Sequence, residues 1–312
     1  MSDPARIDVH QHLIPPDLSR AMAERAEALG WPAPAWDVRG AIAMMDRRSI
    51  ATGLLSFPAP VAAPEDPAGA RAGARSVNEY TAEVVKDRPD RFGHLAALPL
   101  PDLDAALAEA AHALDELNAD GLIVLSNVHG RYLGDPAFEP LWAELDARAA
   151  VVLIHPTAPP VAPVPGLPSP LVDFPYDTTR TALHLALNGV PRRYPRITMN
   201  LPHAGGFLPY AAHRFAVAAR LHLDSTPEGL LNDIRRFFFD TAVSAGPATL
   251  PSLLAFAAPG HVLYGSDFPM IPEAWATGFD TGVDDYPHWD PDQLHAVNRG
   301  NAERLFPRLA RS

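Results

Sequence analysis

The sequence predicts an α/β fold, a single distorted (β/α)8 TIM barrel in which eight parallel strands alternate with helices. Eight short apolar or β-rich runs recur along the chain, and helical patterns lie between them. The 312 residues would accommodate one barrel of about 250 residues with insertions, or two smaller domains. No linker or composition shift divides the sequence, so we expect one domain over residues 1–312.

The predicted strands are rich in aliphatic and β-branched residues. They are Arg6–His12, Ala51–Phe57, Phe92–Leu100, Asp120–Ser126, Val151–Thr157, Arg196–His203, Phe237–Val243 and Val262–Phe268. Apolar residues at helical spacing predict helices over Asp102–Leu117, Ala137–Ala149 and Thr178–Gly189, and Asp102 suits the start of the first of these. Strands and helices therefore alternate as a barrel requires.

Two long segments follow predicted strands. The segment Leu13–Arg39 contains Trp31 and Trp36 and is expected to begin with a helix. The segment Pro156–Pro175 holds eight prolines and is expected to form an ordered, extended loop. Because loops after barrel strands lie over the C-terminal face, both insertions should roof a site there.

Composition excludes several classes of function. The formal net charge of −12 argues against binding to nucleic acid. No apolar run approaches the roughly 18 residues that span a bilayer, which argues against a membrane protein. The first residues, Met1–Arg6, carry no charged-then-apolar signal, so we expect a cytoplasmic protein. The chain has no cysteine, so histidine and carboxylate are the strong metal ligands that remain.

A pair of histidines stands at the end of the first predicted strand, in the stretch Asp8–His12. Successive side chains of a strand point to opposite faces, so His10 and His12 should lie close together on one face. Ile7 and Val9 alternate with them and should pack on the other face. Two converging imidazoles form half of a metal site, although a lone His-x-His pair is also compatible with two structural histidines.

Three further polar residues end the fifth, sixth and eighth predicted strands, the level at which barrel enzymes carry their sites. The first and eighth strands are neighbours in a closed barrel, so Asp267 should reach an ion held by the first histidine pair. The predicted ligands of one divalent ion are His10, His12, His155 and Asp267, with water as a fifth. His203 then stays free to act beside them as a general acid or base.

These motifs resemble the decarboxylase branch of the amidohydrolase superfamily, which contains aminocarboxymuconate-semialdehyde, resorcylate and 6-methylsalicylate decarboxylases. The resemblance extends over almost the whole chain. It rests on Asp8–His12, Asn78–Tyr80, Pro89–Gly93, Tyr132–Pro136, Asp177–Arg180, Pro202–Gly206, Tyr264–Pro269 and Asn301–Phe306. It implies the same four metal ligands, with His203 as the catalytic histidine. In the decarboxylase hypothesis, Asp267 would also deliver or relay a proton, since it lies at the metal and next to His203.

Lysine usage narrows the type of metal centre. Two-metal members of the superfamily usually bridge their ions with a carboxylated lysine at the end of the fourth strand. Here that strand is Gly121–Asn127 without a lysine, and Lys86, the single lysine of the chain, precedes the third strand. We therefore expect one ion, zinc first and manganese as the alternative, and no organic cofactor.

One departure from the branch bears on the substrate. The semialdehyde decarboxylases hold a substrate carboxylate with an arginine shortly before a Met-Asp pair. In this chain the stretch Arg39–Asp46 carries an alanine at that place. The resemblance therefore favours a small (hydroxy-)aromatic or unsaturated carboxylic acid of the salicylate type over a dicarboxylate.

The main hypothesis is a metal-dependent, non-oxidative decarboxylase. A hydrolase of a lactone, amide or ester would use the same ligands, so the site alone does not separate the two reactions. A barrel that binds metal or a small ligand without turnover is a third interpretation, which the retention of His203 and Asp267 argues against. By position, Phe57, Asn127 and Phe268 are the predicted substrate contacts, and the family implies a homo-oligomer, with a dimer favoured.

Overall fold

The computed structural model describes residues 5–63, 65–222 and 226–311. Eight parallel strands follow one another in sequence around the sheet, each paired with the next. They are β1 Arg6–His12, β2 Ile50–Ser56, β3 Phe92–Ala97, β4 Gly121–Leu125, β5 Val151–His155, β6 Thr198–Leu201, β7 Phe238–Asp240 and β8 Val262–Leu263. This order, with helices between the strands, confirms the predicted (β/α)8 barrel.

The barrel closes between β1 and the segment that follows β8. The backbone N–H of Val9 donates to the carbonyl of Tyr264 at 3.0 Å, and that of Asp267 donates to the carbonyl of His10 at 2.8 Å. Gln11 forms a parallel bridge with Phe268. Closure therefore places Asp267 beside the histidines of β1, as the order of the strands predicts.

Helices surround the sheet and connect its strands. The α-helices are α1 Ser19–Ala28, α2 Val38–Arg47, α3 Pro67–Asp87, α4 Leu103–Asp115, α5 Glu139–Ala147, α6 Ser169–Leu187, α7 Val190–Arg193, α8 Leu208–His222, α9 Pro227–Ile234, α10 Thr249–Phe256, α11 Glu273–Asp284, α12 Gln293–His295 and α13 Asn301–Leu305. Asp102 caps α4 by accepting from the Ala105 N–H at 3.1 Å, as expected. Within the described ranges, no helix is both long and apolar enough to cross a membrane.

Several strands end earlier than the sequence indicates. The predicted third, fifth, sixth, seventh and eighth strands continue past the last paired residues Ala97, His155, Leu201, Asp240 and Leu263. After three of these strands the backbone enters the left-handed region, with φ of 55° at His203, 53° at Val243 and 58° at Asp267. A left-handed residue cannot continue a strand, so the chain turns away at the rim of the barrel.

The second insertion is only partly the extended loop that the prolines predict. The helix α6 begins at Ser169, well before the predicted start at Thr178. Pro170 lies in the first turn of α6, where a missing N–H costs nothing. Pro175 lies inside the helix, and its carbonyl accepts from the Thr179 hydroxyl at 2.8 Å. Proline content alone therefore predicted the wrong structure for this last part of the insertion.

An irregularity in β1 changes which of its residues face the interior. The register between β1 and β2 shifts between Asp8 and Gln11, which interrupts the alternation of side chains. Ile7 and Val9 consequently join the buried cluster that contains Leu153, on the same face of β5 as His155. The expectation that Ile7 and Val9 pack opposite the histidines is wrong, because the bulge turns His10 to the face that Val9 already occupies.

Candidate metal centre

Four side chains converge at the C-terminal end of the barrel. One ligand atom from each of them lies within 4.8 Å of the others, and all four residues are buried; they are His10, His12, His155 and Asp267. The Nε2 atoms of His10 and His12 are 3.0 Å apart. Asp267 Oδ1 lies 3.4 Å from the first of these nitrogens and 3.3 Å from the second. The predicted ligands are thus brought together around one point.

The opposite nitrogen of each imidazole faces an oxygen. His12 Nδ1 lies 2.9 Å from the Ser56 hydroxyl, which itself donates to a backbone carbonyl. His155 Nδ1 lies 2.9 Å from the carbonyl of Pro156, and His10 Nδ1 lies 3.2 Å from Asp240 Oδ2. Oxygens at these positions favour the tautomer that carries its proton on Nδ1, so each Nε2 keeps a lone pair for an ion.

The charges around the centre favour a cation. Burial lowers the pKa of His10, but the carboxylates of Asp240 and Asp267 outweigh this effect and raise it to about 9. Burial lowers the pKa of His12 to about 4 and takes that of His155 well below its usual value. Burial raises the pKa of Asp267, but the adjacent imidazoles of His12, His203 and His10 hold it well below the usual range. The imidazoles of His12 and His155 are neutral, as a divalent ion requires, and the carboxylates that favour a proton on His10 would equally favour a metal ion in its place.

The donor set fits one divalent ion. Asp267 Oδ1 is buried and has no hydrogen-bond partner among the described residues, although it points at two imidazole nitrogens. A buried anionic oxygen without a donor is costly, and a cation at this point would satisfy it. Three histidines and one carboxylate are ligands that zinc and manganese both accept.

A fully buried carboxylate holds the turn that carries Asp267. Asp8 Oδ1 accepts from the backbone N–H of Ser266 at 2.9 Å and from that of His10 at 3.1 Å. Gln11 donates to the other oxygen of Asp8 at 3.2 Å. Asp8 thereby ties β1 to the segment after β8, and it fixes the spacing between ligands that the two segments contribute.

His203 lies at the edge of the same centre. Its Nε2 is 3.3 Å from Asp267 Oδ2, the carboxylate oxygen that does not face the β1 histidines. The backbone N–H of His203 donates to Asp240 Oδ1 at 3.1 Å. The following turn is pressed against α6, since a Cβ on Gly206 would come within 2.1 Å of the Pro175 carbonyl. The backbone of His203 is therefore held in place, and its side chain contacts Asp267, one of the predicted metal ligands.

A cavity of about 220 Å³ opens onto His155, His203 and Asp267. Most of its lining is apolar and comes from both insertions, including Met22 and Leu29 from the first and Leu171 and Phe174 from the second. Trp31 fixes the first insertion by donating to the Met270 carbonyl at 2.6 Å. The expectation that the two insertions roof the site is confirmed.

The three predicted substrate contacts lie elsewhere around the rim. Phe57 and Asn127 line a neighbouring cavity of about 590 Å³. Asn127 donates to the Asp177 carboxylate at 2.8 Å and to the Ala158 carbonyl at 3.1 Å. Phe268 packs on the cluster that contains Leu13 and Tyr264. Contact between these residues and a substrate stays a prediction.

Sequence reasoning missed residues that support the ligands. Asp240 is fully buried, accepts from Asn200 at 3.0 Å and faces His10. It ends β7, and a carboxylate at the end of a barrel strand was a signal that could have found it. Arg25, which lines the cavity, lies on α1 in the first insertion, where no sequence pattern marks it.

Comparison with known proteins places this geometry in a family. The profile of the amidohydrolase family, Amidohydro_2, matches residues 7–308. A 6-methylsalicylic acid decarboxylase of Penicillium expansum is 39% identical over 317 aligned positions, covering 98% of this chain and 97% of that protein.

Solved structures show the same fold. A 2,6-dihydroxybenzoate decarboxylase complexed with 2,6-dihydroxybenzoate superposes with a TM-score of 0.81 at 25% identity, covering 97% of this chain and 99% of the other. A dihydroxybenzoic acid decarboxylase from Polaromonas sp. JS666, with bound manganese and the inhibitor 2-nitroresorcinol, superposes with a TM-score of 0.82 at 22% identity, covering 97% of each chain. With its four ligands at the rim of the barrel, this chain belongs to the amidohydrolase family.

Proposed function

We propose that this protein is a metal-dependent, non-oxidative decarboxylase, a carboxy-lyase acting on an aromatic acid of the salicylate type. The observation that carries the proposal is the cavity in which an apolar lining meets His155, His203 and Asp267. Its volume of about 220 Å³ lies below the roughly 300 Å³ at which pockets for drug-sized ligands begin, which favours an acid with a single ring.

The four converging side chains would hold one divalent ion. Bound there, the ion supplies a Lewis acid that orients the carboxylate and a neighbouring oxygen of the substrate and stabilises negative charge. We propose zinc as the resident ion, with manganese as the alternative that the manganese-bound Polaromonas protein supports. The ligand set suits both.

His203 and Asp267 would transfer the proton that replaces the carboxylate on the ring. In the reaction the bond between the ring and the carboxylate breaks, CO2 leaves, and the ring carbon takes a proton in its place. The 3.3 Å separation of His203 Nε2 and Asp267 Oδ2 lets a proton held on the imidazole pass to the carboxylate and on to the substrate. The mainly apolar lining would favour conversion of a charged carboxylate into neutral CO2.

The relatives favour decarboxylation over hydrolysis. A hydrolase would need the same ligands with water as the nucleophile, so the geometry is compatible with both reactions. The similar protein from Penicillium expansum bears the name of a decarboxylase, and it aligns along 98% of this chain. The hydrolase alternative has no comparable support.

Product analysis tests the proposal. Metal-loaded protein is incubated with a panel of hydroxybenzoates, including 6-methylsalicylate, and CO2 and the phenolic product are quantified. The proposal expects equal amounts of CO2 and phenol, with 3-methylphenol formed from 6-methylsalicylate. Ring opening of a lactone panel without CO2 would instead establish the hydrolase, and no CO2 from any hydroxybenzoate would refute the substrate class.

We further propose a homodimer as the assembly, following the resemblance to the decarboxylase branch. Light scattering on the purified protein measures the molar mass directly. A monomer mass of 33.6 kDa at micromolar concentration would contradict the proposal.

A further inference from the structure

Among the residues that the structure describes, Arg25 is the one arginine that lines the cavity of the metal centre. It lies on α1, in the first insertion, and shares the cavity with His155, His203 and Asp267. The rest of the lining is largely apolar. The guanidinium of Arg25 therefore brings a permanent positive charge into a mainly hydrophobic cavity.

No carboxylate of the described residues forms an ion pair with Arg25. The Arg25 guanidinium donates a hydrogen bond to the Thr157 hydroxyl at 3.0 Å, which is a neutral acceptor. Burial lowers the pKa of Arg25. Arg20 on the same helix differs, because it is 90% exposed and pairs with Glu24 at 2.9 Å.

A half-buried guanidinium with one neutral partner has unused donors. Arginine presents five N–H groups in a planar fork, and a carboxylate accepts two of them side by side. Removing the cation from water without a counter-ion is costly, so an anion entering the cavity would recover part of that cost. The anion that enters this cavity, on the proposed function, is an aromatic acid.

We infer that Arg25 is a specificity-determining residue that binds the carboxylate of the aromatic acid in the metal-centre cavity. The inference rests on the proposed function and names a recognition residue for that site. It also fits the stretch Arg39–Asp46, where an alanine replaces the arginine that related semialdehyde decarboxylases use. The carboxylate-binding charge would come from α1 of the first insertion instead.

This role has a kinetic signature. The carboxylate loses its charge as CO2 forms, so its ion pair with Arg25 is stronger in the bound substrate than in the transition state. Loss of the guanidinium should therefore raise KM for a hydroxybenzoate by about tenfold or more, while kcat stays level or rises. A residue that only supports the fold would lower kcat and the thermal midpoint together.

The decisive experiment compares benzoate with its neutral isostere benzamide. Calorimetry on metal-loaded protein measures Kd for both in the wild type, Arg25→Gln, Arg25→Lys and the matched surface control Arg20→Gln. We expect Arg25→Gln to raise Kd for benzoate by about tenfold or more and Kd for benzamide by less than about twofold. Arg25→Lys should retain part of the benzoate affinity, and Arg20→Gln should match the wild type.

Equal weakening of both ligands, unchanged benzoate affinity in Arg25→Gln, or no benzoate binding by the wild type would each overturn the inference. Thermal midpoints of the variants identify any loss of folding, and Arg25→Lys preserves the test if Arg25→Gln does not fold. The change in Kd for benzoate relative to benzamide does not depend on turnover. A wild type that binds benzoate through Arg25 but releases no CO2 would therefore refute the proposed function and leave this inference standing.

Discussion

His203 Nε2 lies 3.3 Å from Asp267 Oδ2, while the other oxygen of the same carboxylate faces the histidines of β1. One carboxylate therefore links the predicted metal position to the predicted acid–base residue. This arrangement separates two roles that mutation can test independently. His203 contacts a ligand without belonging to the group of four that could hold the ion.

Replacing His203 by Ala should abolish turnover but leave the bound metal in place. We expect kcat to fall by at least about 100-fold, because general acid–base catalysis contributes on that scale. Metal content, measured by elemental analysis, should stay at the wild-type level. The exposed His213→Gln on α8 is the matched control and should keep both properties. Loss of metal together with activity would show that His203 is itself a ligand.

Replacing Asp240 by Asn should weaken binding of the metal ion, although it removes none of the four predicted ligands. Asp240 faces His10 Nδ1 at 3.2 Å, and the substitution exchanges a buried carboxylate for a neutral amide of the same shape. We expect metal affinity to fall by about 10- to 100-fold, as measured by competition with a chelator. An unchanged affinity would mean that the ligands are rigid without this support.

Removing the metal should destabilise the protein. The ion binds the folded chain, whose four ligands converge only after the barrel closes, so it contributes free energy of unfolding by mass action. At free metal 100-fold above Kd, we expect a gain of about 2.7 kcal/mol over the chelated protein. Urea unfolding with chelator, zinc or manganese measures this, and the larger gain identifies the preferred ion. Identical curves in all three conditions would contradict the metal centre.

His94 should make the protein less stable in acid. Its side chain is buried in β3, both ring nitrogens lack a partner among the described residues, and burial lowers its pKa to about 3. The unfolded chain binds a proton below about pH 6.5, whereas the folded chain does not until about pH 3. Stability is thus fully present above pH 6.5 and declines as the pH falls through this window.

The substitution His94→Leu should remove that decline. Between pH 7 and pH 5, the free energy of unfolding of the wild type should fall by about 2 kcal/mol more than that of the variant. Urea unfolding at both values measures the change, and the exposed His288→Gln is the control. If the wild type and His94→Leu lose stability in parallel, the buried histidine is protonated in the folded state.

The four side chains of the candidate metal centre could be predicted because each stands at the C-terminal end of a strand or in the turn that follows it. His10, His12 and His155 end apolar runs, and the order of the strands makes the first and eighth neighbours. Strand bounds were less predictable, since the turns at His203, Val243 and Asp267 depend on left-handed backbone. Such a conformation is imposed by tertiary contacts and leaves no local pattern at a histidine, valine or aspartate.

The sequence by itself predicted the barrel and the four side chains that converge as the candidate metal centre. Periodicity and residue type carry that information, because they act within one strand or one helix. Only the tertiary structure decided that Val9 and His10 share a face, that Asp240 supports His10, and that Arg25 enters the cavity. These relationships join segments far apart in the chain, and their geometry exists only once the barrel has closed.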